Sequence, residues 1–177
     1  FLEKEINETS EVLFKSLENY TTKNNKLNFK DINIKKIVKK ILNQSINEII
    51  ITGMGTCYTA SVVISSIFRD NLTQFNKKLN IRPHLASEAS AFYLSSNMSH
   101  TLVIAIAQSG TTIDTNTYVN MAKLRNANVI SFINKRDGDL SKIVHGNLFI
   151  GDGRDVEIAV PSTKTYSAHI FLGYLFT

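Results

Sequence analysis

Leu102–Val103–Ile104–Ala105–Ile106–Ala107 is apolar without interruption and stops at Gln108–Ser109–Gly110–Thr111–Thr112. A strand wetted on one side alternates apolar and polar residues, so a short unbroken run reads as a strand covered on both faces. Ile49–Ile50–Ile51 repeats the pattern and enters Thr52–Gly53–Met54–Gly55. Val129–Ile133 and Leu148–Ile150 add two strands, and Arg82–Ala86 a weaker fifth. Segments 58–69 and 112–125 read as helices between them. Strands spaced by helix-length segments build right-handed βαβ units, which predicts an α/β fold with an open, doubly wound parallel sheet. Its ligand crevice should lie beyond the carboxyl ends of the strands, where strand order reverses.

The 177 residues, 43% of them hydrophobic, suffice for a core without metal or disulfide staples. Residues 2–19 read as one helix. Asp31 is placed to cap a second, whose inward face is Ile34, Ile37, Val38, Ile41 and Leu42. Thr163–Phe176 reads as a last helix ending in apolar residues without a polar stop. The expected organisation is an N-terminal helical segment over 1–44, packed on a domain over 45–177 that is cut in or after its final helix.

The net charge is +5, of which +3 falls in residues 1–44. Lys23, Lys26, Lys30, Lys35, Lys36, Lys39 and Lys40 cluster there, but Phe29 is the single aromatic among them. Without interleaved aromatics or a reader motif, this patch reads as a solvated face, and no specific nucleic-acid partner is expected. No apolar segment approaches the roughly 20 residues of a membrane span, so no membrane partner is expected either. Phe1–Leu2–Glu3–Lys4 lacks leader character and Cys57 is a lone cysteine, which favours a reducing, cytoplasmic setting.

Three segments carry the chemistry. Gly53–Met54–Gly55–Thr56–Cys57–Tyr58 follows a strand and opens a helix, and Gly55 lets backbone approach a ligand. It lacks the third glycine of a dinucleotide fingerprint and the Gly–Lys–Ser/Thr ending of a P-loop, so a structural turn and a binding loop fit it equally. In Gln108–Ser109–Gly110–Thr111–Thr112, hydroxyls, an amide and a helix start offer neutral donors that suit a phosphate, with Gly110 permitting the turn. A plain Ser/Thr helix cap is the alternative there. In Val160–Pro161–Ser162–Thr163–Lys164, Ser162 is a candidate ligand contact or cap. Lys164 is a lone lysine of the kind more often exposed, and Glu157 is placed to orient the loop or accept a ligand hydrogen bond.

No reaction centre emerges from the residues alone. Cys57 has no assignable base, and a wall role outweighs covalent catalysis. His84, His100, His145 and His169 have no metal-like spacing, and no metal site is expected.

The three segments, together with Leu85–Ala86–Ser87–Glu88, resemble in order and spacing the sugar isomerase (SIS) domain family, and within it the first SIS half of the glutamine–fructose-6-phosphate amidotransferases. The likeness begins at Phe1–Leu2–Glu3–Lys4–Glu5–Ile6–Asn7–Glu8, similar to the helix that follows a glutaminase domain. It implies a three-layer α/β/α domain with a five-stranded parallel sheet. By motif position, Thr56 and Cys57 lie in the first sugar-phosphate loop, Gln108, Ser109 and Thr112 hold the phosphate, and Val160 and Ser162 line the sugar side. The implied ligand is fructose-6-phosphate or glucosamine-6-phosphate, with no cofactor. The implied parent carries a glutaminase domain and a second SIS domain and forms a homodimer. Its catalytic groups lie in other segments, so no catalytic residue is assigned here and the isolated chain is expected to be inactive.

Met54, Cys57, Ala107, Thr111 and Pro161 depart from the pattern. Met54, Ala107 and Thr111 keep open a phosphosugar isomerase or deglycase, and a non-catalytic phosphosugar sensor is a third class.

Overall fold

The computed structural model describes residues 2–155, 157–158 and 162–177. Among these the chain runs α1 (Leu2–Asn7), α2 (Thr9–Tyr20), α3 (Ile32–Leu42), β1 (Glu48–Gly53), α4 (Thr56–Leu72), β2 (Asn80–Leu85), α5 (Ala86–Phe92) and β3 (Thr101–Ala107). It continues through α6 (Ile113–Leu124), β4 (Asn128–Ile133), α7 (Asp139–Ile143), β5 (Gly146–Phe149) and α8 (Lys164–Phe176). All strand pairs are parallel, in the order β2-β1-β3-β4-β5.

One handedness rule accounts for where the helices lie. The step from β1 to β2 runs one way across the sheet, and the steps β2 to β3, β3 to β4 and β4 to β5 run the other way. Right-handed crossovers therefore put α4 on one face and α5, α6 and α7 on the opposite face. The packing follows this division. Ile49, Ile51, Leu102, Ile104 and Phe132 meet Ile64 and Phe68 of α4, with Leu172 and Phe176 of α8 and Ile34 and Ile37 of α3 on the same side. The alternate residues Ile50, Val103, Ala105, Val129 and Ile133 meet Ala89 of α5, Tyr118 and Val119 of α6 and Leu140 of α7. The α/β/α sandwich with its five-stranded parallel sheet is thus the architecture, and all seven residues of the central β3 are buried.

Several boundaries differ from the sequence expectation. The first helix divides at Glu8, just before Thr9–Ser10, residue types that compete for backbone hydrogen bonds. β2 carries Pro83, which its place at the sheet edge tolerates. The short helices α5 and α7 were not expected. Asp31 does cap α3, its carboxylate accepting from the Asn33 amide at 2.7 Å and the Ile34 amide at 3.4 Å.

Candidate functional site

β1 and β3 are neighbours, but their helices lie on opposite faces of the sheet. Their carboxyl ends therefore flank the crevice of a doubly wound fold. A cleft of about 290 Å³ opens there, lined by Met54, Gly55, Thr56, Cys57, Ile106, Ala107, Gln108, Ser109, Thr112, Thr115, Glu157 and Ser162.

Two helices begin at this cleft. Gly55 precedes α4 with φ +54°, a conformation that side-chain-bearing residues rarely adopt, and Thr56 is the first helical residue. Thr112 precedes α6 without using its hydroxyl as a cap. A helix leaves its first-turn amides without intrahelical partners, and its dipole makes that end positive. Ser109 and Thr111 share a hydroxyl contact of 2.9 Å, and the Thr111 amide donates to Ser109 Oγ at 3.3 Å.

The Gln108–Thr112 loop is braced from behind. Gly110 has φ +72°, and a Cβ there would stand 2.7 Å from Ile133 Cδ1 and 3.2 Å from Gly138 Cα. Its carbonyl accepts from the Leu140 amide at 2.9 Å and from Asn116 Nδ2 at 3.2 Å.

Glu157 organises the opposite wall. It accepts from the Thr163 amide at 2.7 Å, Ser162 Oγ at 2.8 Å, the Thr165 amide at 3.4 Å and the Thr165 hydroxyl. The carboxylate thereby caps α8, whose N-cap residue Thr163 makes no side-chain cap bond. Burial opposes its charge. The hydrogen bonds, led by that from the Thr165 hydroxyl, outweigh burial and hold the carboxyl below its usual range. Glu157 is the only formally charged side chain lining the cleft among the described residues.

Cys57 is half-buried at the start of α4. Desolvation pushes its thiol up to about 11, only partly offset by the backbone of Gln108. It forms wall, and its thiol is poorly suited to nucleophilic work at neutral pH. Beneath the site, His169 is fully buried beside the backbone of Ala107, Phe132 and Thr165, which face the ring without closing a hydrogen bond on either nitrogen. Burial pushes its pKa down to about 4, so the ring is neutral at physiological pH.

Of the residues singled out in the sequence, Thr56, Cys57, Gln108, Ser109, Thr112, Ser162, Gly55 and Glu157 converge on this one cleft. Gly110 is buried and does not line it. Val160 falls outside the described residues. Lys164 does not line the cleft: it is 2% exposed, faces a separate cavity of about 280 Å³, and pairs with Glu8. Thr115 was overlooked in the sequence, although it lies three residues after Thr112 and so shares its helix face. Among the described residues no group of three His, Cys, Asp or Glu side chains could hold a metal ion, and no helix is long and apolar enough to cross a membrane.

The SIS domain family model matches residues 41–177. The glutamine–fructose-6-phosphate aminotransferase (isomerizing) of Thermococcus kodakarensis is 34% identical over 140 residues, covering 77% of this chain and 21% of that protein. The enzyme of the same name from Helicobacter pylori is 31% identical over 175 residues, covering 99% of this chain and 27% of that protein. This chain therefore spans about a quarter of the length of these two relatives. The solved C-terminal domain of glucosamine-fructose-6-phosphate aminotransferase from Francisella tularensis superposes with a TM-score of 0.83 at 21% identity, covering 98% of this chain and 45% of that one. With the match to its family model over residues 41–177, the chain belongs to the SIS domain family.

Proposed function

We propose that this chain is the sugar-phosphate-binding first half of the isomerase region of a glutamine-dependent fructose-6-phosphate amidotransferase. Residues 45–177 form that half, and residues 1–44 are a helical segment packed on it. One observation carries the reading: Thr56, Ser109 and Thr112, brought by two helix starts, share a cleft that also holds Ser162 and a single carboxylate. Neutral hydroxyls and oriented amides hold a phosphate without a lysine or arginine. Glu157 and Ser162 then face the sugar, where a carboxylate accepts from hydroxyl or amine groups and repels a second anion.

Such a chain contributes by fixing the sugar's carbonyl relative to groups supplied by other segments. The parent reaction transfers ammonia from glutamine to fructose-6-phosphate and isomerises the product to glucosamine-6-phosphate. A glutaminase domain, a second SIS domain, a homodimeric assembly and a cytoplasmic location complete this proposal.

Calorimetric titration with fructose-6-phosphate and glucosamine-6-phosphate tests it. Hydrogen bonds to a charged group contribute roughly 1.5–3 kcal/mol, so Ser109→Ala and Thr112→Ala should each weaken binding by about tenfold or more. Unchanged affinity in both variants overturns the assignment. The chain alone should form no glucosamine-6-phosphate from glutamine and fructose-6-phosphate. A full-length parent that releases no glutamate would displace amidotransfer in favour of a phosphosugar isomerase or deglycase.

A further inference from the structure

We infer that Glu5, in the chain's first helix, and Glu8, just beyond it, form a carboxylate clamp that positions Glu157 and Ser162 on the sugar side of the cleft. This rests on the phosphosugar reading above and extends it to residues outside the cleft.

Lys164 poses an electrostatic problem that the clamp answers. It is the first residue of α8 and 2% exposed, so a buried cation sits at the positive end of a helix dipole. Two carboxylates compensate. Glu157 takes the amides of the same helix start, and Glu8 Oε2 accepts from Lys164 Nζ at 2.5 Å. Lys4 approaches the other Glu8 oxygen at 3.6 Å.

Glu5, 4% exposed, accepts the Ile158 amide through Oε1 at 2.6 Å. Glu5 therefore holds the residue immediately after Glu157, and Glu8 holds the residue two beyond Ser162. These contacts join positions 153 and 156 residues apart in sequence. Neither Glu5 nor Glu8 lines the ligand cleft; both line the separate cavity that Lys164 faces. They are positioning residues, acting through the segment that carries Glu157 and Ser162.

Gly110, between Ser109 and Thr112, is held by the Leu140 amide and the Asn116 side chain rather than by the clamp, and this loop meets the Glu157 carbonyl through a long 3.5 Å contact from Gln108 Nε2. Loss of the clamp should therefore damage sugar recognition and spare phosphate recognition. The test is titration of the full chain and of Glu8→Gln with glucosamine-6-phosphate and, separately, with inorganic phosphate. Glu8→Gln should weaken the sugar phosphate by about tenfold, leave inorganic phosphate within about twofold, and speed amide exchange at Thr163 and Thr165.

Should Glu8→Gln fail to fold, the double variant Glu8→Gln/Lys164→Met removes the unpaired ammonium and should show the same selective loss. Wild-type affinity for glucosamine-6-phosphate in the folded variant overturns the clamp. Equal weakening of both ligands also overturns it, because that is general destabilisation. If the unaltered chain binds neither ligand, the phosphosugar reading itself has failed, and the clamp falls with it.

Discussion

Replacing Gly110 by alanine puts the architecture of the Gln108–Thr112 loop to a quantitative test. The residue has φ +72°, where an L side chain is strained by roughly 1–2 kcal/mol. The new Cβ would also stand 2.7 Å from Ile133 Cδ1 and 3.2 Å from Gly138 Cα. The isoleucine end can move, but the Gly138 backbone belongs to the loop that braces Gly110 through the Leu140 amide. Overpacking of this kind adds about 1–3 kcal/mol, so Gly110→Ala should destabilise the chain by about 2–5 kcal/mol. For a chain of this length each kcal/mol lowers Tm by about 2–4 °C. Calorimetric melting alongside urea titration measures the change. A loss below about 1 kcal/mol would mean that neither the backbone strain nor the contact with Gly138 constrains the loop.

Two further predictions concern buried titratable groups. The unfolded chain protonates His169 near 6.5, whereas the native ring stays neutral down to about 4. Its contribution is full above pH 6.5 and disappears as pH falls from 6.5 to 4, an effect of about 3 kcal/mol. His169→Leu should flatten the dependence of the urea midpoint on pH across that window. His84 and His145, also depressed mainly by burial, add to the slope, so the informative quantity is the difference between variant and parent. An identical slope would show that His169 does not remain neutral in the native state. At Cys57, a thiol pushed from 9.0 up to about 11 exposes about 100-fold less thiolate at neutral pH. Alkylation with iodoacetamide at pH 7.5 should lag a free cysteine peptide by at least that factor, and comparable rates would contradict the burial.

The sheet was legible because β1, β3 and β4 are buried on both faces and so have no polar alternation. β2 was faint because an edge position admits Asn80, Arg82 and Pro83. α5 and α7 escaped notice because 7 and 5 residues are too few to show a helical period. Thr56, Ser109 and Thr112 stood out as hydroxyls beside glycines directly after apolar runs, a local pattern. The role of Glu157 at the start of α8 depends on contacts with residues five to eight positions later, which spacing alone does not specify. Nothing near Lys164 in sequence signals its burial, because its partner Glu8 lies 156 residues away. Local chemistry was readable; long-range pairing was not.

The central claim is that donors from the two helix starts serve one phosphate group. Titrating the isotope-labelled chain with glucosamine-6-phosphate and following its backbone amide resonances addresses this directly. The account predicts that the amides of Thr56, Ser109 and Thr112 shift together along a single binding curve, with Ser162 moving at the same midpoint. Resonances that stay fixed at saturating ligand, or that follow separate curves with unrelated midpoints, would contradict it.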